Sequence, residues 1–249
     1  MRRFLVAILA AMTAAPVLAA PPSADDILRQ AFQNYRAASS QSTVAMTVHR
    51  PDWERRMQMQ GWTRGESDAL VRFTAPAKDA GNATLKVGTD TWVYNPKLNQ
   101  VIKLPGSMMS QSWMGSDFSY NDLSKSEDIV TDYTHRLIAT AQADGHTVWT
   151  IEATPKPGAP VVWGKVALEV RDDYVLMGET FYDQDMKPAR RMTADRIAPL
   201  GGRPYPVSMT MHPLDQPAQW TRIETSDARF NLALPAYLFT LSNLQNPRS

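Results

Sequence analysis

Apolar and polar residues alternate along most of this chain, and the period of the alternation changes once. Between Ala24 and Ala37 the apolar residues recur at helical spacing, and Ser23 followed by Asp26 is typical of a helix N-cap. The sequence therefore predicts one amphipathic helix over Ala24 to Ala37. After this helix the period becomes two, as in Val44, Met46 and Val48, which predicts half-buried strands with one apolar face.

Short turns such as Gly88-Thr89-Asp90 and Asp144-Gly145 separate the alternating stretches. Connections this short favour sequential antiparallel strands in a meander. We count about eleven strands by alternation. The sequence therefore predicts a mainly β fold with some α (α+β), in which one large, curved antiparallel sheet carries helices on one face. Pro235 to Phe239 predicts a single helical turn near the end.

The stretch from Thr91 to Leu123 departs from this pattern in its second part. Up to Leu104 it predicts an ordinary hairpin with a turn at Asn95 to Asn99. Beyond it, apolar residues are scattered among Ser, Gly and Asp without lasting alternation. We interpret this second part as a lid or docking surface over an apolar region, with its apolar side chains at Met108, Met109, Trp113, Met114, Phe118 and Leu123.

The N-terminus has the composition of a secretory signal peptide. Arg2-Arg3 precedes an apolar run from Phe4 to Ala15, which is too short to span a membrane. Cleavage after Ala19 fits better than cleavage after Ala20, because a proline would follow the latter bond directly. The sequence therefore predicts a signal peptide over residues 1–19, a single domain over residues 20–249, and a periplasmic location.

Charge and cysteine content exclude several classes of partner. Without Arg2 and Arg3 the chain has 24 basic against 25 acidic side chains, a balance that argues against nucleic-acid binding. It has no cysteine, and therefore no disulfide, no Cys zinc site and no lipidated cysteine. We expect a soluble monomer that is not lipid-anchored.

No motif in the sequence indicates catalysis, a cofactor or a metal. The four histidines, which show no metal-binding spacing, are His49, His135, His146 and His212. Asp117 and Asp122 form a possible carboxylate pair for glycoside hydrolysis. We interpret them instead as structural caps, because Asp117 follows Gly115-Ser116 and Asp122 follows Asn121 at the start of a short helix.

Methionine is used unusually often on the strands. Met57 alternates with Met59 and Met209 with Met211, while Met46 and Met177 lie on other strands. Core packing explains any one of them. Together they also suit a cavity whose lining adapts to flexible ligands, because thioether side chains fill irregular spaces.

Several segments resemble the outer-membrane lipoprotein-sorting proteins of the LolA-like superfamily. They are Leu70 to Pro76, Gly81, Leu85, Trp92 to Pro96 and, above all, Ser112 to Leu123, which reads SWMGSDFSYNDL. The resemblance implies an incomplete antiparallel β-barrel, curled around an apolar cavity and covered by helices. It also implies carriage of acyl chains from an inner-membrane exporter, an RND-type or ABC permease, towards an outer-membrane acceptor.

The leading functional hypothesis is therefore a soluble periplasmic carrier of lipoprotein acyl chains or related lipids, without catalysis. One alternative is an envelope sensor or adaptor that uses the same cavity to regulate a membrane partner, and another is a glycan-active enzyme. A bulge in any strand would invert the face that lines the cavity. The predicted cavity positions are Val44, Met46, Val48, Met57, Met59, Val71, Phe73, Leu85, Trp92, Tyr94, Met177, Met209 and Met211.

Overall fold

The computed structural model of the protein describes residues 22–124 and 128–248. The predicted signal peptide over residues 1–19 and its cleavage site lie outside the described residues. Within the described ranges, no helix has both the length and the apolarity needed to cross a membrane.

The N-terminal helix, α1, spans Ala24–Arg36 and ends one residue before the predicted end. The Ser23 side chain caps it by accepting a hydrogen bond from the Asp26 backbone N–H at 3.1 Å. At the other end, Ala37 adopts a φ of 54°, a left-handed conformation that stops the helix. Ile27 and Leu28 are fully buried against the second half of the sheet, so the amphipathic pattern of α1 is satisfied by packing.

Thirteen strands follow in the described residues, rather than about eleven. The strands are β1 Ser39–Arg50, β2 Trp53–Arg64, β3 Asp68–Ala75, β4 Ala83–Val87, β5 Asp90–Asn95, β6 Gln100–Lys103, β7 Tyr133–Ala143, β8 His146–Pro155, β9 Lys165–Arg171, β10 Leu176–Tyr182, β11 Pro188–Leu200, β12 Arg203–Pro213 and β13 Trp220–Phe230.

All thirteen strands form one antiparallel sheet that is not closed into a barrel. Its order is β6-β5-β4-β3-β2-β1-β13-β12-β11-β10-β9-β8-β7, so two meanders meet where β1 pairs with β13. Met46 of β1 lies opposite Met57 on one side and Ile223 on the other, which makes one apolar face continuous across the junction. We call this the inner face.

The connection between β6 and β7 is constrained by this order. These two strands are the opposite edges of the sheet, so the connection has to pass from one edge to the other. We call its described parts, residues 104–124 and 128–132, the crossing segment. Its regular parts are two short 3-10 turns, Gly106–Met108 and Trp113–Gly115, and two short helices, α2 Tyr120–Ser124 and α3 Asp128–Thr131.

The outer face of strands β2 to β6 is covered by the C-terminus. There a 3-10 turn, Ala236–Phe239, leads into a short helix, α4 Leu241–Gln245, where the sequence predicted one helical turn. Phe239 and Leu244 are buried in a cluster with Leu70 and Leu85. Arg72 donates hydrogen bonds from Nη2 to the carbonyl oxygens of Asn243 and Leu244, at 2.8 and 2.9 Å, and so satisfies acceptors at the end of α4.

We expect Leu244→Ala to destabilise the protein by about 2–5 kcal/mol, because truncation of this fully buried side chain leaves a cavity in the core. Urea unfolding of the purified domain measures this loss. Leu244 packs on the outer face, so ligand binding to the inner face should be unchanged at concentrations of urea where the variant is folded. A variant with wild-type stability would show that the C-terminal cover is not part of the folded core.

Candidate ligand-binding cavity

The inner face of the sheet encloses one large cavity with a volume of about 380 Å³. Its walls come from strands of both meanders, from α1 and from the crossing segment. Since β1 to β5 and β9 to β13 contribute to the same space, the open sheet curls around it. This volume lies within the range of protein pockets that hold small molecules.

Nine of the thirteen predicted cavity positions share the inner face, but they fall into two groups. The positions that line the open cavity are Val44, Met59, Val71, Met209 and Met211. The remaining four pack beneath the crossing segment in a closed cluster around Trp113, and they are Met46, Val48, Met57 and Phe73. The crossing segment thus divides the inner face into a filled part and an open part.

Three other predictions place the side chain on the wrong face. Leu85, Trp92 and Tyr94 belong to the outer cluster beneath the C-terminal cover. The inner positions of β4 and β5 that line the cavity are instead Thr84, Lys86 and Thr91. The outer face of these strands is covered by the C-terminus and is more apolar than the inner face. Alternation in the sequence shows which face of a strand is more apolar, but not whether that face lines the cavity.

Met177 is displaced by a bulge. The pairing of β10 with β9 shifts between Leu176 and Gly178, which leaves Met177 as the extra residue. Its neighbour Leu176 lines the cavity, and Met177 does not.

Trp113 is a buried anchor of the crossing segment rather than part of a mobile lid. Its side chain is 4% exposed, its ring lies 5.3 Å from that of Phe73, and its Nε1 donates a hydrogen bond to Thr84 Oγ1 at 3.2 Å. Met114 packs on the same cluster. This part of the predicted lid or docking surface is therefore anchored in the core.

The other predicted lid residues have different positions. Phe118 and Leu123 line the cavity, so this part of the crossing segment forms one of its walls. Met108 and Met109 are half-buried near the first 3-10 turn and do not line the cavity.

Asp117 does not cap a helix, which corrects the sequence interpretation. Its carboxylate pairs with Arg50 Nη2 at 3.0 Å and accepts a hydrogen bond from Thr221 Oγ1 at 2.6 Å. The Asp117 backbone N–H also donates to Thr221 Oγ1, at 3.0 Å. Asp117 therefore fixes the crossing segment to β1 and β13, at the junction of the two meanders.

Asp122 does act at a helix start, and it also forms a second ion pair. Its Oδ2 accepts a hydrogen bond from the Ser119 backbone N–H at 2.6 Å, as in a capping box. Arg190 of β11 forms a two-pronged ion pair with the same carboxylate, with Nη1 2.8 Å from Oδ2. Asp117 and Asp122 thus have separate arginine partners, an arrangement unlike the free carboxylate pair of a glycoside hydrolase.

The Arg190 guanidinium is almost fully buried and stacks on aromatic rings. It lies 4.6 Å from the ring centre of Trp163 and 4.5 Å from that of Phe181. It also donates to the backbone oxygen of Asp117 at 3.2 Å. Arg190 therefore joins both aspartates of the crossing segment to the second meander.

Glu179 is a functional candidate that the sequence analysis missed. It lies on β10 and lines the cavity together with Phe181, two residues further along the same strand. Burial and the nearby Asp122 raise its pKa and Arg190 lowers it, with the result that the pKa lies at about 7. Residues two positions apart on a strand point to the same face of the sheet. The position of Glu179 two residues before the aromatic Phe181 could therefore have placed this carboxyl on the inner face.

Two stacked tyrosines stand in the same cavity. The rings of Tyr35 and Tyr205 are 5.3 Å apart and nearly parallel. Burial raises the pKa of both phenols, so both are neutral at physiological pH. The cavity therefore combines apolar walls with a small polar region.

A separate polar cluster lies on the exposed turns of β7 to β10. The cluster consists of His146, Asp172 and Asp173, whose ligand atoms lie close enough together to hold a metal ion. Because 26 residues separate His146 from Asp172, the spacing of the histidines in the sequence did not indicate this cluster. Each has a local partner. His146 Nδ1 lies 2.6 Å from Asp172, and Asp173 pairs with Arg171 at 2.6 Å, so the cluster is explained as turn structure.

Comparison with solved structures defines the class of the fold. A DUF1329 family protein from Desulfovibrio piger ATCC 29098 superposes with a TM-score of 0.81 and 23% identity, over 89% of this chain and 97% of that one. A domain from Vibrio parahaemolyticus described as an outer membrane lipoprotein-sorting protein gives 0.78 and 22%, over 89% and 98%. A LolA superfamily protein from Nitrosomonas europaea gives 0.74 and 24%, over 88% and 98%.

The protein therefore has the LolA-like fold, an open antiparallel sheet curled around a cavity, as the sequence resemblance predicted. At the level of sequence, a family model described as "Uncharacterized protein" matches residues 65–246, and the chain belongs to that family. No curated protein matches the chain by sequence.

Single substitutions in the crossing segment should separate its anchor from its cavity wall. We expect Trp113→Ala to destabilise the protein by about 3–5 kcal/mol, because a large buried aromatic side chain is lost. Phe118→Ala should cost less stability but release a bound fluorescent fatty acid faster. Urea unfolding and probe dissociation measure the two effects. A stable Trp113→Ala variant with fast probe release would instead make Trp113 part of a lid.

The raised pKa of Glu179 should make the stability of the protein depend on pH. The folded state holds this proton up to about pH 7, whereas the unfolded chain releases it near the ordinary value of 4.5. Between these values the folded state binds more protons, so its stability falls as pH rises. Relative to Glu179→Gln, the wild type should lose on the order of 2 kcal/mol between pH 5 and pH 8.

Urea unfolding at both pH values measures this difference. The matched control is Glu169→Gln, which alters a carboxylate on the neighbouring strand β9 that pairs with Arg191 at 3.2 Å. It should keep the pH slope of the wild type. Equal slopes for the wild type and Glu179→Gln would contradict the assignment of a carboxyl with a raised pKa at this position.

Proposed function

We propose that the protein carries amphiphiles with apolar chains, either lipoprotein acyl chains or related lipids, and that it does so without catalysis. The observation that carries this proposal is the cavity between the inner face of the sheet and the crossing segment, with walls of Val44, Met59, Val71, Met209 and Met211. The LolA-like fold supports it. Methionine-rich walls suit chains of variable shape, because thioether side chains adapt their conformation.

The energetics of burial agree with a carrier. Transfer of an alkyl chain from water into an apolar cavity contributes roughly 25 cal/mol per Å² of buried surface, so even one chain supplies several kcal/mol. A carrier also has to release its cargo. Because Phe118 and Leu123 form part of the wall, the cargo replaces contacts that these side chains make in the empty protein, which lowers the net affinity.

The proposed donor and acceptor of the cargo are those that the resemblance to the LolA-like superfamily implies. The proposed path runs through the periplasm, from an inner-membrane RND-type or ABC permease towards an outer-membrane acceptor, after removal of the predicted signal peptide. The Vibrio parahaemolyticus relative, described as a lipoprotein-sorting domain, supports this direction of transport. In this proposal the protein acts as a monomer.

Native mass spectrometry of the gently purified protein, followed by extraction of acyl chains, tests the proposal. We expect a bound amphiphile in the wild type. Ser42→Phe should abolish its retention, because this residue lines the cavity opposite Gly61 of β2 and the larger ring fills the space.

The control is Thr43→Phe, which places the same ring on the exposed outer face of the same strand and should retain the amphiphile. A wild-type protein that takes up no amphiphile, either from cells or from added fatty acid, would overturn the carrier proposal. Retention by Ser42→Phe would show that the amphiphile binds outside this cavity.

A further inference from the structure

Glu179 is a carboxyl group inside an otherwise largely apolar space. It extends from β10 between Leu168 of β9 and Met192 of β11, its partners in the sheet. Leu168 is fully buried and Met192 lines the cavity, so the surroundings along the sheet are apolar. A carboxylate in such a place is costly unless a partner compensates its charge.

Within the described part of the chain, no residue donates a hydrogen bond to the Glu179 carboxyl. The nearby cation is Arg190, but both of its terminal nitrogens are already bound to the Asp122 carboxylate. The charged and titratable groups that act on Glu179 from its surroundings are Asp122 of α2, Arg190 of β11 and Tyr35 of α1. The Asp122–Arg190 pair is neutral as a unit, so the Glu179 charge has no counterpart of its own.

The cationic side chains of the cavity serve other partners. Arg36 donates from Nη2 to the carbonyl oxygens of Gly65 and Asp68, at 3.2 and 3.4 Å. Lys86 donates to the carbonyl oxygen of Glu66 at 3.4 Å. Both lie on the side of β3 and β4, the meander that does not contain Glu179. The cavity therefore has an acidic side at β10 and a basic side at β3 and β4.

From this arrangement we propose that the cavity prefers an amphiphile with an amine head group, whose ammonium pairs with Glu179 while its alkyl chain lies along the methionine-lined wall. This inference rests on the proposed carrier function and specifies its ligand. An ammonium supplies both the missing positive charge and the missing hydrogen-bond donor. The hydroxyls of Tyr35 and Tyr205, whose rings are stacked, lie in the same cavity as further neutral polar groups.

Competition with a fluorescent fatty acid probe tests this preference with three ligands of equal chain length: dodecylamine, dodecanol and dodecanoic acid. At pH 8 the wild type should bind dodecylamine about tenfold more tightly than dodecanol, a difference of about 1.4 kcal/mol. Glu179→Gln should remove this difference and leave the affinity for dodecanol within about twofold of the wild type. Glu169→Gln, on the outer face, should preserve the wild-type preference.

The same preference should weaken as the pH falls from 8 to 6, because protonation removes the charge of Glu179 while the amine stays charged. An unchanged amine preference in Glu179→Gln would overturn the proposal. So would a preference for dodecanoic acid, which would instead assign the head group to the basic side of the cavity. If the probe itself does not bind, the carrier function fails and not only its ligand class. If the probe binds but dodecylamine does not displace it, the amine preference alone fails.

Discussion

The buried ion pair between Arg190 and Asp122 determines where the crossing segment lies, and the cavity depends on that position. A bare guanidinium in this place would be strongly destabilising, because burial of a charge costs several kcal/mol unless partners surround it. Asp122 supplies the opposite charge and two aromatic rings cover the faces of Arg190. Asp117 adds a second attachment through Arg50. With the segment held at these points, one part of the inner face is filled by Trp113 and the other stays open.

The same ion pair explains why the Glu179 carboxyl has no ion-pair partner among the described residues. Arg190 is the cation near it, but the two-pronged contact with Asp122 uses both terminal nitrogens. Asp122 also repels negative charge on Glu179, so the pKa of this carboxyl rises to about 7. One contact therefore both holds a wall of the cavity in place and leaves its acidic side unbalanced. The position of the crossing segment and the proposed ligand preference of the cavity therefore depend on the same two residues.

Sequence patterns predicted the sheet, the first helix and the fold class, because periodicity and turn residues are local properties. They assigned the inner face of β1, β2, β3 and β12 correctly, because the inner positions of these strands are more apolar than the outer ones. They assigned Leu85 and Trp92 wrongly, because the C-terminal cover that buries the outer face lies more than 140 residues away in sequence. The ion pairs of Asp117 and Asp122 were missed for the same reason, since Arg50 and Arg190 are 67 and 68 residues distant.

The two kinds of contact in the crossing segment differ in what they cost to break. Removal of one partner from a buried ion pair costs about 3–5 kcal/mol, so separation of Asp122 from Arg190 in the empty protein is unfavourable. Rotation of Phe118 or Leu123 away from the cavity loses only apolar contacts, and an incoming alkyl chain restores contacts of the same kind. Ligand exchange by movement of these two side chains is therefore less costly than lifting the whole segment. A fixed backbone with adaptable walls is sufficient for reversible binding.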